Sequence, residues 1–333
     1  MKNTFIILAS IILLITQAAC ASETNQAAGT NGEKITWKLG HISDENHPWH
    51  KTALKFAELV KQKTNDQIEI KVYPNSQLGG ETDMLNSIKA GTADLTISGE
   101  TMANWAPKAA LMAVPYEFRD EAHMKKVIES EIGEEIEQEI SEKVGVTTLY
   151  YHLRAPRNLT SDEPVNSPDD MKGFRIRVPN VPLFLDAWKS VGAKPQAMDF
   201  KEVFTALQQH VIDGQENPYD LIYSASFYEV QKYVNQTEHV RQWVYMVVGN
   251  KQLESLTPDL QKAVKEAAAE AQEYGMQLFA KDIADYRQKL IDKGMTINED
   301  VDRDAFKQTM EPAVKNSLNK EQLELYEKIQ NME

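Results

Sequence analysis

The chain of 333 residues is 42% hydrophobic and 26% charged, a composition typical of a folded globular protein and unlike that of a disordered one. This length allows a large core and two lobes. The formal net charge of −14 disfavours nucleic acid and anionic lipid surfaces as partners, because both repel an acidic protein. Any site for an anion must therefore be built locally from a few cations.

The amino terminus has the features of a secretory signal. Lys2 precedes an apolar run from Phe5 to Ile15, and small residues lead from there to Cys20. The run is too short to span a bilayer, which takes about 20 apolar residues. We therefore predict that residues 1–20 are a signal peptide and that the mature protein is exported, with no membrane-spanning segment.

Cys20 is the only cysteine, so disulfide bonds cannot stabilise the fold. Its position at the end of the signal predicts the lipidation site of a bacterial lipoprotein, held at the outer face of the cytoplasmic membrane by the lipid anchor alone. Residues 21–34 are polar and would form a flexible tether. The alternative is cleavage near Ala19 or Ala21, which leaves Cys20 without a role and makes the protein periplasmic.

Beyond the tether, strand and helix patterns alternate. Period-two alternation predicts a strand over residues 35–42, Pro48 opens a helix, and the next elements are a strand over residues 68–73, a helix over residues 83–90 and a strand over residues 94–98. This βαβαβ order predicts a parallel sheet covered by helices. Ligands bind at the carboxyl ends of such strands, which places His41 and Glu100 near a cleft.

A second unit follows the same pattern. It contains predicted strands over residues 145–153 and 174–178, predicted helices over residues 182–191 and 201–209, and a β-type crossover between lobes over residues 240–248. A long helix begins after Thr257 as N-cap, with Pro258 at its first position, and ends at Gly294. About 36 residues at 1.5 Å each give a rod of roughly 54 Å, long enough to brace both lobes.

Two arginines are candidates for holding a carboxylate. Arg177 lies at the carboxyl end of the strand over residues 174–178, and Arg157 is placed at the end of an earlier strand. Two guanidinium groups at strand ends can clamp one carboxylate, since each planar fork donates two parallel hydrogen bonds. The alternative for Arg175 and Arg177 is that both are solvated on a sheet surface.

Two further features have both a structural and a functional interpretation. Residues 213–218 (Asp-Gly-Gln-Glu-Asn-Pro) contain common turn pairs, and the functional alternative is a polar loop in which the amide of Asn217 bonds a ligand oxygen. Phe200 is either a core aromatic residue or a ring that packs on a sugar or an acyl chain.

The sequence contains no catalytic signature. The motifs HExxH, GxSxG, GxxxxGK[ST] and GxGxxG are absent, and no cysteine nucleophile is left in the fold. His47 and His50, near Asp44 and Glu45, have loose metal-ligand spacing, but histidines at a helix start are usually capping or surface residues. We predict no catalytic residue, no metal and no cofactor. An exported hydrolase that uses a carboxylate pair is the alternative from a different class.

Four segments resemble, in the right order, the DctP-type solute-binding proteins of TRAP (tripartite ATP-independent periplasmic) transporters. Residues 170–180 resemble the signature DLKGLKIR, residues 200–208 the segment FxEVYxALQ, residues 213–218 the loop DGQENP and residues 227–232 the segment FYEVQK. The resemblance runs from about Ile35 into the C-terminal helices. It implies an α/β, two-lobed, periplasmic-binding-protein-like fold with crossing strands and a long bracing helix.

The resemblance also implies roles for individual residues. By this resemblance Arg177 binds the ligand carboxylate, Asn217 also holds the ligand, and Phe200 packs on it. An upstream arginine assists; by spacing this is Arg157, with Arg154 as the alternative. Further candidate ligand contacts are His41, Glu100 and Glu216.

The resemblance extends to domain organisation and partners. We expect lobe 1 mainly in residues 35–150, lobe 2 mainly in residues 151–240, and a crossover strand, the long helix and C-terminal helices that span both lobes in residues 241–333. Ligand binding closes the lobes like a hinge, and the closed, monomeric protein docks on the membrane subunits of a TRAP permease. Coupling to a sensor kinase or to an ABC-type permease is the alternative.

The expected ligand is a small carboxylate. Sialate-binding members carry Asn where this chain has Ile42 and Glu where it has Gly99, so the carboxylate clamp is retained while the far end of the pocket differs. We therefore predict a sugar acid such as a uronate or an aldonate, with a C4-dicarboxylate or another small organic acid as the alternative.

Overall fold

The structure is a computed structural model that describes residues 34–332, except for the side chains of residues 282–284. The predicted signal peptide, Cys20 and the tether up to residue 33 lie outside the described residues. Within the described part, no helix combines the length and the apolar character needed to cross a membrane.

Eleven strands are assigned in the described part of the chain, and they form two mixed sheets. The strands are β1 (Ile35–Gly40), β2 (Ile68–Tyr73), β3 (Leu95–Ser98), β4 (Val146–Leu153), β5 (Arg157–Ser161), β6 (Arg175–Val178), β7 (Lys194–Ala197), β8 (Gly214–Asn217), β9 (Tyr233–Val240), β10 (Trp243–Gly249) and β11 (Thr296–Asn298).

The first sheet has the strand order β2-β1-β3-β10-β4. Strands β1, β2 and β3 are parallel, which confirms the predicted βαβαβ arrangement, and β10 is antiparallel to both β3 and β4. Every residue of β10 is buried, because helices cover both faces of this sheet and leave no face for polar side chains. The uninterrupted apolar sequence of β10 follows from that position.

The second sheet has the order β11-β9-β5-β8-β6-β7. Strand β5 is antiparallel to its neighbours β8 and β9, whereas β6 is parallel to β7 and β8. The carboxyl ends of β6 and β8 and the start of β5 therefore lie at the same edge of the sheet. This edge is where the candidate site forms.

Helices connect the strands and cover the sheets. The α-helices are α1 (Pro48–Lys63), α2 (Glu81–Ala90), α3 (Glu121–Ile128), α4 (Glu131–Val144), α5 (Pro182–Ser190), α6 (Phe200–Gln208), α7 (Tyr219–Ser224), α8 (Asn250–Glu254), α9 (Pro258–Asp292), α10 (Arg303–Ser317) and α11 (Lys320–Gln330). Short 3-10 helices occupy Glu100–Asn104, Pro107–Ala113, Pro168–Met171 and Phe227–Glu229.

The long helix α9 has the ends that the sequence predicts. The hydroxyl of Thr257 accepts a hydrogen bond from the Leu260 amide at 3.4 Å, Pro258 occupies the first turn, and Gly294 follows the helix with a φ of +95° that favours glycine. The helix contacts α1 and β4, which belong to the first half, and also α7, which follows β8 of the second sheet. It therefore braces elements of both halves, as predicted.

The chain also passes between the two sheets through two short segments, residues 154–156 between β4 and β5 and residues 241–242 between β9 and β10. The backbone amide of Arg154 donates to the backbone oxygen of Gln242 at 3.0 Å, so these two hinge segments lie side by side. The predicted single β-run over residues 240–248 is wrong in detail. It is split between β9 and β10, because each strand completes the hydrogen-bond ladder of a different sheet.

Candidate functional site

The predicted clamp residues meet at one edge of the second sheet. Arg177 lies at the carboxyl end of β6 and Asn217 at the carboxyl end of β8. The prediction that Arg157 ends an earlier strand is wrong, because Arg157 is the first residue of β5. Since β5 runs antiparallel to β8 and Asn158 pairs with Asn217, the start of β5 still brings Arg157 to the edge where β6 and β8 end.

The predicted turn or loop over residues 213–218 is a strand for most of its length, with Asp213 in a bend before it and Pro218 after it. Residues 214–217 are strand β8, and all four residues are buried. These polar side chains can be buried because each one has a hydrogen-bond partner. Gln215 Nε2 donates to Thr160 Oγ1 at 3.1 Å, and Asn217 Nδ2 donates to Gln215 Oε1 at 2.6 Å. The amide group of Asn217 is thus partly engaged within the protein.

Arg157 and Glu216 form a buried ion pair. Arg157 Nη2 donates to Glu216 Oε1 at 2.6 Å, Arg157 Nε donates to Glu216 Oε2, and His239 Nε2 lies 2.9 Å from the same Oε2. Burial by itself would raise the pKa of Glu216, but the charge of Arg157 and the hydrogen bonds from His239 and Arg157 outweigh burial and lower the pKa to about 2. Of the Arg157 fork, only Nη1 lies outside this pairing with Glu216.

Arg177, unlike Arg157, donates its hydrogen bonds to a backbone oxygen and not to a carboxylate. Its Nε and Nη2 donate to the backbone oxygen of Met198 at 2.8 and 2.6 Å, and its guanidinium carbon lies 5.9 Å from the centre of the Phe200 ring. Burial lowers the pKa of Arg177 to about 10, an effect that attraction by Glu216 opposes, so the group is cationic at neutral pH. Arg177 and Phe200 line a cavity of about 30 Å³.

The opposite wall of this cavity comes from the first half of the chain. Its lining residues there are Ile42, Glu81, Thr82 and Thr101. The Glu81 carboxylate accepts a hydrogen bond from Ser98 Oγ at 3.0 Å, and burial together with the neighbouring Glu100 raises the pKa of Glu81. The sequence prediction missed Glu81, although its place after the predicted strand over residues 68–73, in a sheet whose strands bind ligands at their carboxyl ends, was an available signal.

Glu100 lies deeper and is 4% exposed. Its Oε1 is 3.7 Å from Arg157 Nη1 and 4.0 Å from Arg154 Nη1. It is also 3.5 Å from Gln242 Nε2. Glu100 therefore connects the Arg157 ion pair with the side chains of both hinge segments.

Arg154, the alternative to Arg157, is buried but incompletely bonded. Its guanidinium carbon lies 5.3 Å from the ring centre of Trp49, and its Nε and Nη2 have no hydrogen-bond partner among the described residues. The same holds for Gln242 Oε1. Buried polar groups without partners are rare in folded proteins, and a bound water or ligand is one way to satisfy them.

His41 offers no free ring nitrogen. Its Nε2 lies 3.0 Å from His50 Nδ1, and its Nδ1 lies 3.0 Å from Ser43 Oγ. Burial, and then repulsion by His50, lowers the pKa of His41 to about 3, so the ring is neutral. Within the described part of the chain, no set of three or more His, Cys, Asp or Glu side chains is arranged to hold a metal ion.

Several contacts join the two halves across the cleft. Asn104 Nδ2 donates to the backbone oxygen of Asn180 at 2.8 Å, and the amide of Asp44 donates to Ser224 Oγ at 3.0 Å. Lys201 Nζ lies 3.3 Å from Asp83 Oδ2. These contacts hold the cleft narrow.

Two α/β halves joined by short hinge segments, with buried cations beside the cleft between them, define the architecture of a solute-binding protein that encloses a small ligand. A sequence model of the family DctP, described as bacterial extracellular solute-binding protein, family 7, matches residues 39–321. The chain belongs to this family. The predicted family and fold class are thereby confirmed.

Solved structures and a characterised relative extend the match. A TRAP periplasmic solute-binding protein from Roseobacter denitrificans with bound L-galactonate is 48% identical, with a TM-score of 0.88, over 89% of this chain and 99% of that chain. One from Haemophilus influenzae with bound L-gulonate is 36% identical, with a TM-score of 0.82, over 89% and 99%. The 2,3-diketo-L-gulonate-binding periplasmic protein of Escherichia coli is 34% identical over 81% of this chain and 82% of that protein.

Proposed function

We propose that the protein binds a sugar acid, a uronate or an aldonate, in the cleft between its two sheets and delivers it to the membrane subunits of a TRAP permease. The observation that supports this proposal most strongly is how the buried guanidinium of Arg177 is bonded. In the described part of the chain this buried cation donates to a backbone carbonyl and forms no ion pair with an acidic side chain. A buried guanidinium without a contacting acidic partner is a strong binding site for a carboxylate, because the carboxylate offsets its burial cost.

Each predicted ligand contact has a distinct place in this proposal. Arg177 holds the carboxylate and Phe200 packs against the carbon chain. Arg157 contributes through Nη1 and Asn217 through its side-chain oxygen, while Glu216 fixes the orientation of Arg157. Glu100 accepts from ligand hydroxyl groups, and His41 supports the wall beside Ile42.

The ligands of similar proteins support a sugar acid. The Roseobacter denitrificans structure contains L-galactonate and the Haemophilus influenzae structure contains L-gulonate. Both molecules combine one carboxylate with several hydroxyl groups. In this chain the cation Arg177 and the carboxyl group of Glu81 line the same cavity, and Glu100 lies close enough to interact with Glu81.

Capture requires the two halves to separate. A cavity of about 30 Å³ is far smaller than a six-carbon acid, so a ligand enters an open form and the cleft closes over it. We propose that residues 35–150 form mainly the first lobe and residues 151–240 mainly the second. Residues 241–333 then supply a crossing strand and helices that serve both, with bending at the hinge segments.

We also propose that the monomeric protein is anchored to the membrane through lipidated Cys20, after a signal peptide over residues 1–20. A cell-fractionation experiment tests the anchor. The wild-type protein should sediment with membranes, and Cys20→Ala should release it into the periplasmic fraction. Recovery of wild-type protein in the soluble fraction would instead support cleavage that leaves Cys20 without a lipid.

A thermal-shift screen tests the ligand class. The panel contains aldonates, uronates, sialate, 2-oxo acids and C4-dicarboxylates, with Arg177→Met as the matched variant. A ligand at 100 times its Kd stabilises the fold by about 2.7 kcal/mol, enough to raise Tm by a few degrees. We expect a shift with sugar acids that Arg177→Met abolishes. A shift only with C4-dicarboxylates, or turnover of any ligand, would contradict the proposal.

A further inference from the structure

Two buried side chains at the hinge approach one carboxylate oxygen of a third, Glu100. Oε1 of Glu100 is 4.0 Å from Arg154 Nη1 and 3.5 Å from Gln242 Nε2. Arg154 precedes β5 in one hinge segment, and Gln242 precedes β10 in the other. We call Glu100, Arg154 and Gln242 the hinge cluster. Its members are 4%, 5% and 0% exposed, so bulk solvent does not satisfy their hydrogen bonds.

The hinge cluster has unused hydrogen-bonding capacity of both kinds. In the part of the chain that the structure describes, Nε and Nη2 of Arg154 are donors without an acceptor, and Oε1 of Gln242 is an acceptor without a donor. A carboxylate accepts hydrogen bonds only, so it could serve Arg154 but not Gln242. A hydroxyl group both donates and accepts. A pair of hydroxyl groups therefore satisfies both partners at once.

The charge around the hinge cluster also disfavours an anion. Glu100 belongs to the cluster, and Glu81, which lines the cavity, is close enough to Glu100 for the two carboxylates to interact. The charges of Glu81 and of Asp220 also act on Arg154. An additional carboxylate at this position would face these acids, and of the two cations beside it, Arg154 and Arg157, the second is already paired with Glu216. Neutral hydroxyl groups carry no such penalty.

The hinge cluster does not itself line the cavity that holds Arg177, but neighbours of Glu100 do. Thr101, the neighbour of Glu100, and Glu81 both line that cavity. A ligand whose carboxylate binds Arg177 can therefore direct its carbon chain toward the cluster. The ligand carboxylate would then contact Arg177 in the second half of the chain, and the ligand hydroxyl groups would contact the hinge cluster.

We propose that the hinge cluster is a specificity site that binds hydroxyl groups remote from the ligand carboxylate, with Arg154 donating and Gln242 and Glu100 accepting. The site selects polyhydroxy monocarboxylates with a long chain and rejects acids that carry a second carboxylate at the far end. This inference rests on the proposed function, since it assumes that Arg177 holds a sugar acid by its carboxylate.

Isothermal titration calorimetry on the full purified protein tests the proposal with three ligands. L-galactonate has six carbons and one carboxylate, D-erythronate has the same acid group and a shorter chain, and galactarate has a second carboxylate at the far end. The wild-type protein should bind L-galactonate about tenfold or more tightly than either of the others, because one satisfied hydrogen bond to a charged group is worth about that much.

Variants at Arg154 isolate the hinge cluster. Arg154→Met should reduce the preference for L-galactonate over D-erythronate to within about threefold. Arg154→Lys keeps the charge but lacks the planar guanidinium with its parallel donors, so it should retain part of this preference. Gln242→Leu should reduce the preference in the same way. Arg175→Met is the matched control, because Arg175 pairs with Asp213 away from the cavity lining, and it should keep the wild-type preference. Thermal unfolding of each variant checks that it is folded.

The possible failures are distinguishable. An unchanged preference in folded Arg154→Met or Gln242→Leu, or equal wild-type affinity for galactarate and L-galactonate, would overturn the hinge-cluster proposal alone. A wild-type protein that binds none of the three acids would overturn the proposed function on which it rests.

Discussion

Arg154 and Arg157 lie three positions apart, and both are buried, yet their surroundings differ. The fork of Arg157 is filled by Glu216, which His239 also contacts. Two donors of Arg154 have no partner among the described residues. A buried charge that the protein itself pairs is part of the scaffold, whereas a buried charge with free donors is available to a ligand. Arg157 therefore mainly positions the site and keeps only Nη1 outside its pairing with Glu216, whereas Arg154 has two donors that we expect to bind the ligand.

A third buried group shows another outcome. Glu117 is 3% exposed, and neither carboxyl oxygen has a partner among the described residues. Burial raises the pKa of Glu117 to about 9, against the opposing attraction of Lys315 and Lys307. At neutral pH this side chain keeps its proton and is uncharged. Pairing and protonation are thus two ways in which this fold accommodates buried ionisable groups, and ligand binding is the third that we propose, for Arg154.

The largest expected effect comes from breaking the paired group. Arg157→Met leaves Glu216 buried with no cation in contact, so we expect the free energy of unfolding at pH 7 to fall by about 3–5 kcal/mol. Urea denaturation measures this change. Glu202→Gln, at an exposed position on α6, is the control and should stay within about 0.5 kcal/mol of wild type. A loss below about 1 kcal/mol for Arg157→Met would show that the ion pair is not the scaffold element we describe.

The next effect is pH-dependent and concerns Glu117. Because its pKa of about 9 in the folded state exceeds the ordinary value of 4.5, the folded protein holds more protons than the unfolded chain between these pH values. Its contribution to stability is therefore complete below pH 4.5 and is lost as pH rises toward 9. Glu117→Gln should be close to neutral at pH 4.5 and increasingly stabilising toward pH 9, by a few kcal/mol.

Urea denaturation of wild type and Glu117→Gln at pH 5, 7 and 9 measures this difference. Comparing the two proteins at each pH removes the contribution of every other titrating group that they share. A difference in unfolding free energy that is the same at all three pH values would contradict the protonated state of Glu117.

The smallest effect on folding is expected at Arg154. Arg154→Met removes a cation whose Nε and Nη2 have no partner, and Glu100 keeps Arg157 at 3.7 Å. We expect the unfolding free energy to change by no more than about 1 kcal/mol, in either direction, because the lost burial cost of the charge offsets the lost contact with Trp49. The same substitution at Arg157 and at Arg154 should thus differ by several kcal/mol. A loss at Arg154 equal to that at Arg157 would remove the distinction between them.

The sequence predicted the first half of the fold well. Period-two alternation in β1, Pro48 at the start of α1 and the Thr257–Pro258 cap of α9 are local signals, and the elements they predict are confirmed. These signals work because the residues that produce them act on their own segment of backbone.

The second half was predicted less completely, for a physical reason. Strand β8 consists of Gly-Gln-Glu-Asn and has no apolar alternation, so its strand conformation depends on partners such as Thr160 and Arg157 that are distant in sequence. The division between β9 and β10 likewise depends on which sheet each strand joins. Arg177 and Phe200, both chosen from the sequence as ligand contacts, line one cavity, whereas Gln242 and His239 could be found only once the fold brought them together.

The central claim is that Arg177 holds the carboxylate of a sugar acid, and calorimetric titration of L-galactonate into wild-type protein and Arg177→Met tests it most directly. We predict saturable binding to wild type and a loss of about 2–5 kcal/mol of binding free energy in the variant, with its thermal unfolding transition retained. Near-native affinity in a folded Arg177→Met protein would contradict the claim.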